Sequence, residues 1–66
     1  MNPKYPDITV QLIGEDGNSF NIIGLVMKEL RRNNVPAEEI TQFCNEAMSG
    51  DYDNLLQTCM KWVEVG

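Results

Sequence analysis

Residues 8–13 read Ile-Thr-Val-Gln-Leu-Ile, with Ile8, Val10 and Leu12 on one side and Thr9, Gln11 and Ile13 on the other. This alternation, rich in β-branched types, predicts a strand. It also raises a difficulty, because a lone strand leaves a row of backbone N–H and C=O groups unpaired. Three partners are open: the C-terminal Val63-Glu64-Val65, the same strand of a second copy, or water. Residues 1–7 carry two prolines and no periodicity. They read as an extended arm, laid against the body through Tyr5.

From residue 19 onward the apolar period changes to that of a helix. Phe20, Ile23, Val26, Met27 and Leu30 share one face of a helix over 19–33, with Ile22 beside them and Leu25 on the far side with Glu29 and Arg32. Asn18 or Ser19 supplies the N-cap, and Asn33-Asn34 a left-handed stop. A second helix spans 37–49. Pro36 opens it, Glu38 and Glu39 sit in its first turn, and Ile40, Phe43, Cys44, Ala47 and Met48 follow the i, i+3, i+4, i+7, i+8 pattern. Gly50 is expected to end it in the left-handed region. A third helix spans 51–63, capped by Asp51. Tyr52, Leu55, Leu56, Cys59, Met60, Trp62 and Val63 form its broad apolar face, and Asn54, Gln57, Thr58 and Lys61 lie outside it. This periodicity favours helix over strand up to Val63. The links between helices are short, so the expected fold is mainly α: a short N-terminal strand or extended arm followed by a compact three-helix bundle, all one domain.

Length sharpens the picture. Sixty-six residues bury only about 60% of the surface an unfolded chain exposes, so the stability margin is thin. Many small domains add a disulfide, a metal or a partner subunit. Here the chain has two cysteines and no histidine, which excludes a four-ligand Cys/His zinc site within one chain. Cys44 and Cys59 both fall on apolar faces. They read as small buried hydrophobes, with a Cys44–Cys59 disulfide as the alternative; the first reading fits a reducing, cytoplasmic setting. The amino terminus lacks the apolar core of a signal peptide, and no apolar run reaches the roughly 18 residues of a membrane span.

Ten acids against five bases give a net charge of −5. A nucleic-acid-binding face must be basic, and the one basic cluster, Lys28, Arg31 and Arg32, complements a helix C-terminus instead. Direct nucleic-acid binding is therefore not expected. Catalysis lacks its usual neutral-pH base, since there is no histidine. The acid pairs Glu38/Glu39 and Asp51/Asp53 sit at helix starts, where the dipole accounts for them. No catalytic, metal or cofactor residue is assigned, and the chain reads as non-enzymatic.

The stretch Gly14-Glu15-Asp16-Gly17-Asn18-Ser19-Phe20-Asn21-Ile22-Ile23-Gly24 concentrates Gly, acid and amide residues. A calcium loop starting at Asp16 would place Phe20, Asn21 and Met27 at positions that need a ligand, a glycine and a ligand, and it fails. A phosphate loop lacks its Lys-Ser/Thr, and Glu15 and Asp16 would repel phosphate. The same acids oppose an RNA-clamping Gly-x-x-Gly loop. A strand-to-helix turn with an N-cap accounts for every residue. Gly24, inside the helix, costs about 0.5–1 kcal/mol relative to Ala, which predicts a backbone passing close by.

The patterns G-x-D-G-N-x-F-x-I-x-G at residues 14–24, V-P-x-E-E-I at 35–40 and S-G-D-Y-D-x-L-L at 49–56 resemble those of a group of short bacterial and phage proteins of uncharacterised function. The likeness covers most of residues 10–65 and implies a prokaryotic or phage setting without an activity. A weaker similarity to ubiquitin-associated-type three-helix bundles rests on Gly50-Asp51-Tyr52. It brings no binding residues, because that family's Met-Gly-Phe-like loop is missing.

Surplus apolar face together with an unpaired strand leads to the functional expectation: a small interaction or regulatory protein that pairs with a protein partner or with itself as a homodimer. The residues assigned to such an interface are Val10, Leu12, Ile22, Gly24, Leu25 and Trp62. The alternative is an acidic inhibitor of phage type that mimics nucleic-acid charge. It requires Glu15, Asp16, Glu38, Glu39, Glu46, Asp51 and Asp53 to share one surface.

Overall fold

A computed structural model describes residues 3–12 and 18–66. Over these residues the chain is mainly α, with three helices and a two-stranded sheet. In order, these are β1 (Tyr5–Val10), α1 (Ser19–Arg32), α2 (Ala37–Ala47), α3 (Tyr52–Trp62) and β2 (Val63–Val65). The turn expected over residues 14–17, with Glu15 and Asp16, lies outside the described residues, as does Ile13.

The strand finds its partner within the chain. β1 pairs in parallel with β2, matching Tyr5 to Val63, Thr9 to Glu64 and Val10 to Val65. The register is irregular between Tyr5 and Thr9, a stretch containing Pro6, which has no N–H to give to a ladder. The pairing extends past both strands. Lys4 N–H donates to the Lys61 carbonyl at 2.8 Å, Gly66 N–H to Val10 at 3.0 Å and Leu12 N–H to Gly66 at 3.3 Å.

Two expectations change here. The strand begins at Tyr5 rather than Ile8, so part of the expected arm is strand. The third helix stops at Trp62, and Val63 is already extended, with φ −137° and ψ 166°. Helical periodicity at Val63 is overridden by hydrogen-bond demand: β1 offers unpaired groups, and Val63-Glu64-Val65 has the alternation and branching to meet them.

The link from α1 to α2 shows how local chemistry sets a corner. Asn34 has φ 63°, the left-handed region. Around it, Val35 N–H donates to Leu30 O and Asn34 N–H to Arg31 O, both at 3.0 Å. These are the two bonds of a Schellman helix stop, and its usual hydrophobic contact is available because Leu30 and Val35 are both buried. At the α2–α3 corner the expectation fails. Gly50 is not left-handed; a Cβ there would lie 2.9 Å from the Asn54 Cβ. Glycine makes room for Asn54, whose Nδ2 donates to the Glu46 carbonyl at 3.0 Å and closes the end of α2. Asp51 caps α3, its Oδ1 accepting from Asn54 N–H at 2.9 Å, and Asn18 caps α1 through Phe20 N–H at 2.9 Å.

The core draws on every element: Ile8 and Val10 from β1, Ile22, Ile23, Val26 and Leu30 from α1, Ile40, Phe43 and Ala47 from α2, Leu55, Cys59 and Trp62 from α3, and Val63. Trp62 sits at its crossing point, edge-on to Phe43 at 5.7 Å and stacked on Tyr5 at 6.1 Å between centroids. Thr58, read from sequence as outside the apolar face, is buried, and its Oγ1 donates to the Asn54 carbonyl at 2.8 Å. A threonine can enter the core this way because the helix itself satisfies its hydroxyl.

The left-handed Asn34 gives a direct check. Asn34→Gly should hold or raise the melting temperature, whereas Asn34→Ala should cost about 1 kcal/mol. In a chain this short that is a fall of roughly 4–8 °C, read by circular dichroism. Equal melting temperatures for the two variants would refute the assignment.

Candidate functional site

The buried stripe of α1 is rotated from its sequence expectation. At about 100° per residue, Ile22, Ile23, Val26 and Leu30 centre between Ile22 and Ile23. Phe20 then lies roughly 100° from that centre, and it is 76% exposed. Met48 and Tyr52, also expected in the core, are 53% and 46% exposed. Met60 is exposed as well, and Met27 is partly buried.

Three of these exposed side chains converge. The start of α1, the end of α2 and the start of α3 enclose a cleft of about 260 Å³, lined by Phe20, Ile23, Met48, Tyr52 and Leu55 with Asp51 at its edge. Its floor is core, since Ile23 and Leu55 are buried, and its walls are the side chains that α1 and the α2–α3 corner leave outside. Met48 is an unbranched wall that can adapt to what it meets.

Acids occur at both ends of the helices, but the bases avoid the cleft. Asp51 lines the cleft, Asp53 follows Tyr52, and Glu46 precedes Ala47. All five basic residues are elsewhere. Arg31 and Arg32 are in the last turn of α1, and Lys61 is in the last turn of α3. At 1.5 Å per residue, these helix ends lie roughly 14–20 Å along the axes from the cleft. Lys28 is one turn before Arg32. Lys4 is held against Glu39 and the Trp62 ring.

That last contact belongs to a second cluster, which fastens β1 to the helices. Lys4 Nζ lies 2.8 Å from Glu39 Oε1 and 4.5 Å from the Trp62 ring centroid, and the Tyr5 hydroxyl donates to the same carboxylate oxygen. The Tyr5 hydroxyl and Lys4 hold the Glu39 carboxyl below its usual range, with the Lys4 bond the larger cause. The bond to Glu39, then burial and the carboxylate charge, push the Tyr5 phenol up to about 12. Every charged or polar tip here has a partner within the chain, so the cluster acts as a clasp.

Most of the residues assigned to an interface from sequence lie in or against this chain's own core. Val10, Ile22 and Trp62 are buried in this chain's own core, at 3%, 3% and 4% exposure, and cannot form a surface. Leu12 and Leu25 are partly buried against that core. Gly24 is exposed, and a Cβ built there meets nothing within 4 Å among the described residues, so no close neighbour from these accounts for its helix cost. The cleft is not legible in the sequence, because Phe20, Met48 and Tyr52 stand at core-like helical spacing.

Among the described residues, no three Cys, Asp or Glu side chains are grouped to hold a metal ion, and no buried side-chain nitrogen or oxygen lacks a partner. Cys44 is half-buried and Cys59 buried, both as free thiols, and burial pushes the Cys59 thiol up to about 11. No described helix is long and apolar enough to cross a membrane. Comparison of the chain with protein-family models, curated proteins and solved structures found no match.

Two predictions follow from these geometries. The clasp has a pH window. The lowered Glu39 contributes stability above the ordinary value of 4.5 and loses it as pH falls through its folded value. The raised Tyr5 contributes below 10 and loses it as pH climbs from 10 toward about 12. Fluorescence of the single Trp62 should therefore change at both ends of the range. Tyr5→Phe should remove the part of the alkaline change due to Tyr5 and leave the acid one; an unaltered alkaline change would refute the clasp. For the thiols, iodoacetamide should modify Cys44 in the native protein and reach Cys59 only in denaturant, as mass spectrometry of the adducts will show.

Proposed function

We propose that this chain is a small non-enzymatic protein-interaction module, and that the cleft between α1, α2 and α3 is its contact surface. The observation that carries this reading is the grouping of Phe20, Met48 and Tyr52, exposed at 76%, 53% and 46%, around one concavity with an apolar floor. Single exposed apolar residues are ordinary on soluble proteins, whereas three grouped around one concavity support reading it as a contact surface. At about 260 Å³ the cleft is smaller than the roughly 300–1,000 Å³ of small-molecule sites, and it suits an anchoring side chain of a larger partner. The scaffold is read as a compact three-helix bundle closed by the strand pair. The working setting is the bacterial or phage cytoplasm, which rests on the motif resemblance and the cysteine usage.

The charge-mimic alternative draws less support. Glu38 and Glu39 begin α2, while Glu46 is at its other end with Asp51 and Asp53, and Glu39 is committed to Lys4 and Tyr5. The described acids of that set are thus divided between opposite ends of a helix.

Self-association competes with a separate partner for the cleft, and one comparison separates them. Light scattering at rising concentration should report the same mass for the wild type and for Phe20→Ser. Affinity capture from the cells that make the protein should retain a partner on the wild type and lose it on Phe20→Ser, with the circular dichroism of the two unchanged. A partner captured equally by both would remove the cleft from the reading.

A further inference from the structure

We infer that the cleft receives a basic segment of a partner protein, one that inserts a large apolar side chain and carries Lys or Arg beside it. This rests on the reading of the cleft as a contact surface and adds the chemistry of its occupant. The cleft lies at the end of the molecule where α1 and α3 begin and α2 finishes. Asp51 lines it, and Asp53 and Glu46 are next in the chain to residues that line it. None of the five basic residues is at this end; four lie at or near the far ends of α1 and α3, and the fifth is clasped by Glu39. Neither Asp51 nor Asp53 forms an ion pair with a described residue. Asp51 uses one carboxylate oxygen as the α3 cap, and its second oxygen remains an acceptor for an incoming donor.

An apolar pocket lined by one carboxylate, with two more acids next in the chain to its lining, selects its partner twice. The floor and walls reward a buried apolar anchor, and the acidic edge draws in cations and repels anions. Nucleic-acid backbones and anionic lipid surfaces are disfavoured by the same field. A second copy of this chain would have to offer its own basic end, Lys28, Arg31 and Arg32. Such a contact joins two different surfaces of the chain, head-to-tail or as an antiparallel pair, and either form depends on protein concentration.

The test uses the full chain, labelled with nitrogen-15, and three synthetic peptides of equal length. One presents a Leu/Trp face flanked by Lys, one the same face flanked by Glu, and one Lys residues with Ser in place of the apolar face. The Lys-flanked apolar peptide should bind and move the amide signals of Phe20, Met48 and Tyr52. Its affinity should fall roughly fivefold or more in the double variant Asp51→Asn, Asp53→Asn, and again as salt is raised. Asparagine keeps the helix cap, so this variant should stay folded. The other two peptides should leave those signals in place. Equal binding by the Glu-flanked peptide at the same residues would overturn the basic partner while leaving the contact surface standing. Binding that moves only other signals, or no binding by any peptide, would overturn this inference; retained capture of a partner by Phe20→Ser is the separate result that would overturn the surface itself. Signals that shift with protein concentration alone would make a second copy the occupant and overturn the proposal.

Discussion

The six residues of β1 bring backbone donors and acceptors into a small, apolar body, and those groups have to be met. The last four residues of the chain meet them, through β2 and Gly66. Because the pairing is parallel, the chain between the strands must cross from the end of one to the start of the other, and all three helices form that crossover. Residues 4–12 and 61–66 are thereby fixed side by side. The helices between them pack onto Ile8 and Val10 as well as onto each other. Without that pairing, β1 would keep its apolar side chains but lose the hydrogen bonds that let it lie against the core.

Trp62 is where this constraint becomes packing. It is the last residue of α3, one position before β2, so its ring is placed by both elements. Phe43 holds one edge from α2, Tyr5 covers a face from β1, and Lys4 lies over the ring with its charge met by Glu39. The clasp therefore joins the strand, the second helix and the third at one aromatic residue. The cleft comes from the same docking at a distance. With β1 packed on α1, the buried stripe of that helix centres on Ile22 and Ile23, and Phe20 is turned out toward the α2–α3 corner.

Much of the helical content was legible from residues 19 onward because amphipathic spacing and caps are local properties. Asn18, Asn34, Pro36 and Asp51 each act within a few residues of where they stand, and each is found at the helix boundary assigned to it. What was not legible depended on contacts distant in sequence. Val63 continues the helical stripe of α3, and only the presence of β1 makes it a strand. Gly50 and Gly24 show the limit of reading a glycine alone: one makes space for Asn54 without a left-handed backbone, and the other has open space around it. The site suffered most, because apolar residues at helical spacing were assigned inward as a group. A stripe on a short helix near a corner runs past the edge of its neighbours, so its first or last member can be outside while the rest are buried. Phe20 and Tyr52 are first-turn residues, and Met48 is the residue that follows α2.

The acids and the apolar walls at the cleft do not weigh equally as signs of function. Asp51 is required where it stands, because α3 needs an N-cap, and Asp53 in the first turn is favoured by the helix dipole. Folding alone accounts for both, and acids at two helix starts would be present whether or not anything bound. Folding does not account for Phe20 in the same way. The backbone of α1 is capped by Asn18 without any contribution from the Phe20 ring, and a ring 76% exposed adds little to a core. A polar residue at that position would keep the helix and remove an aggregation liability. The exposed ring beside Met48 and Tyr52 is therefore the feature that folding leaves unexplained, and the proposed contact surface rests on it. In the proposal, the acids, already in place for structural reasons, set the sign of the partner.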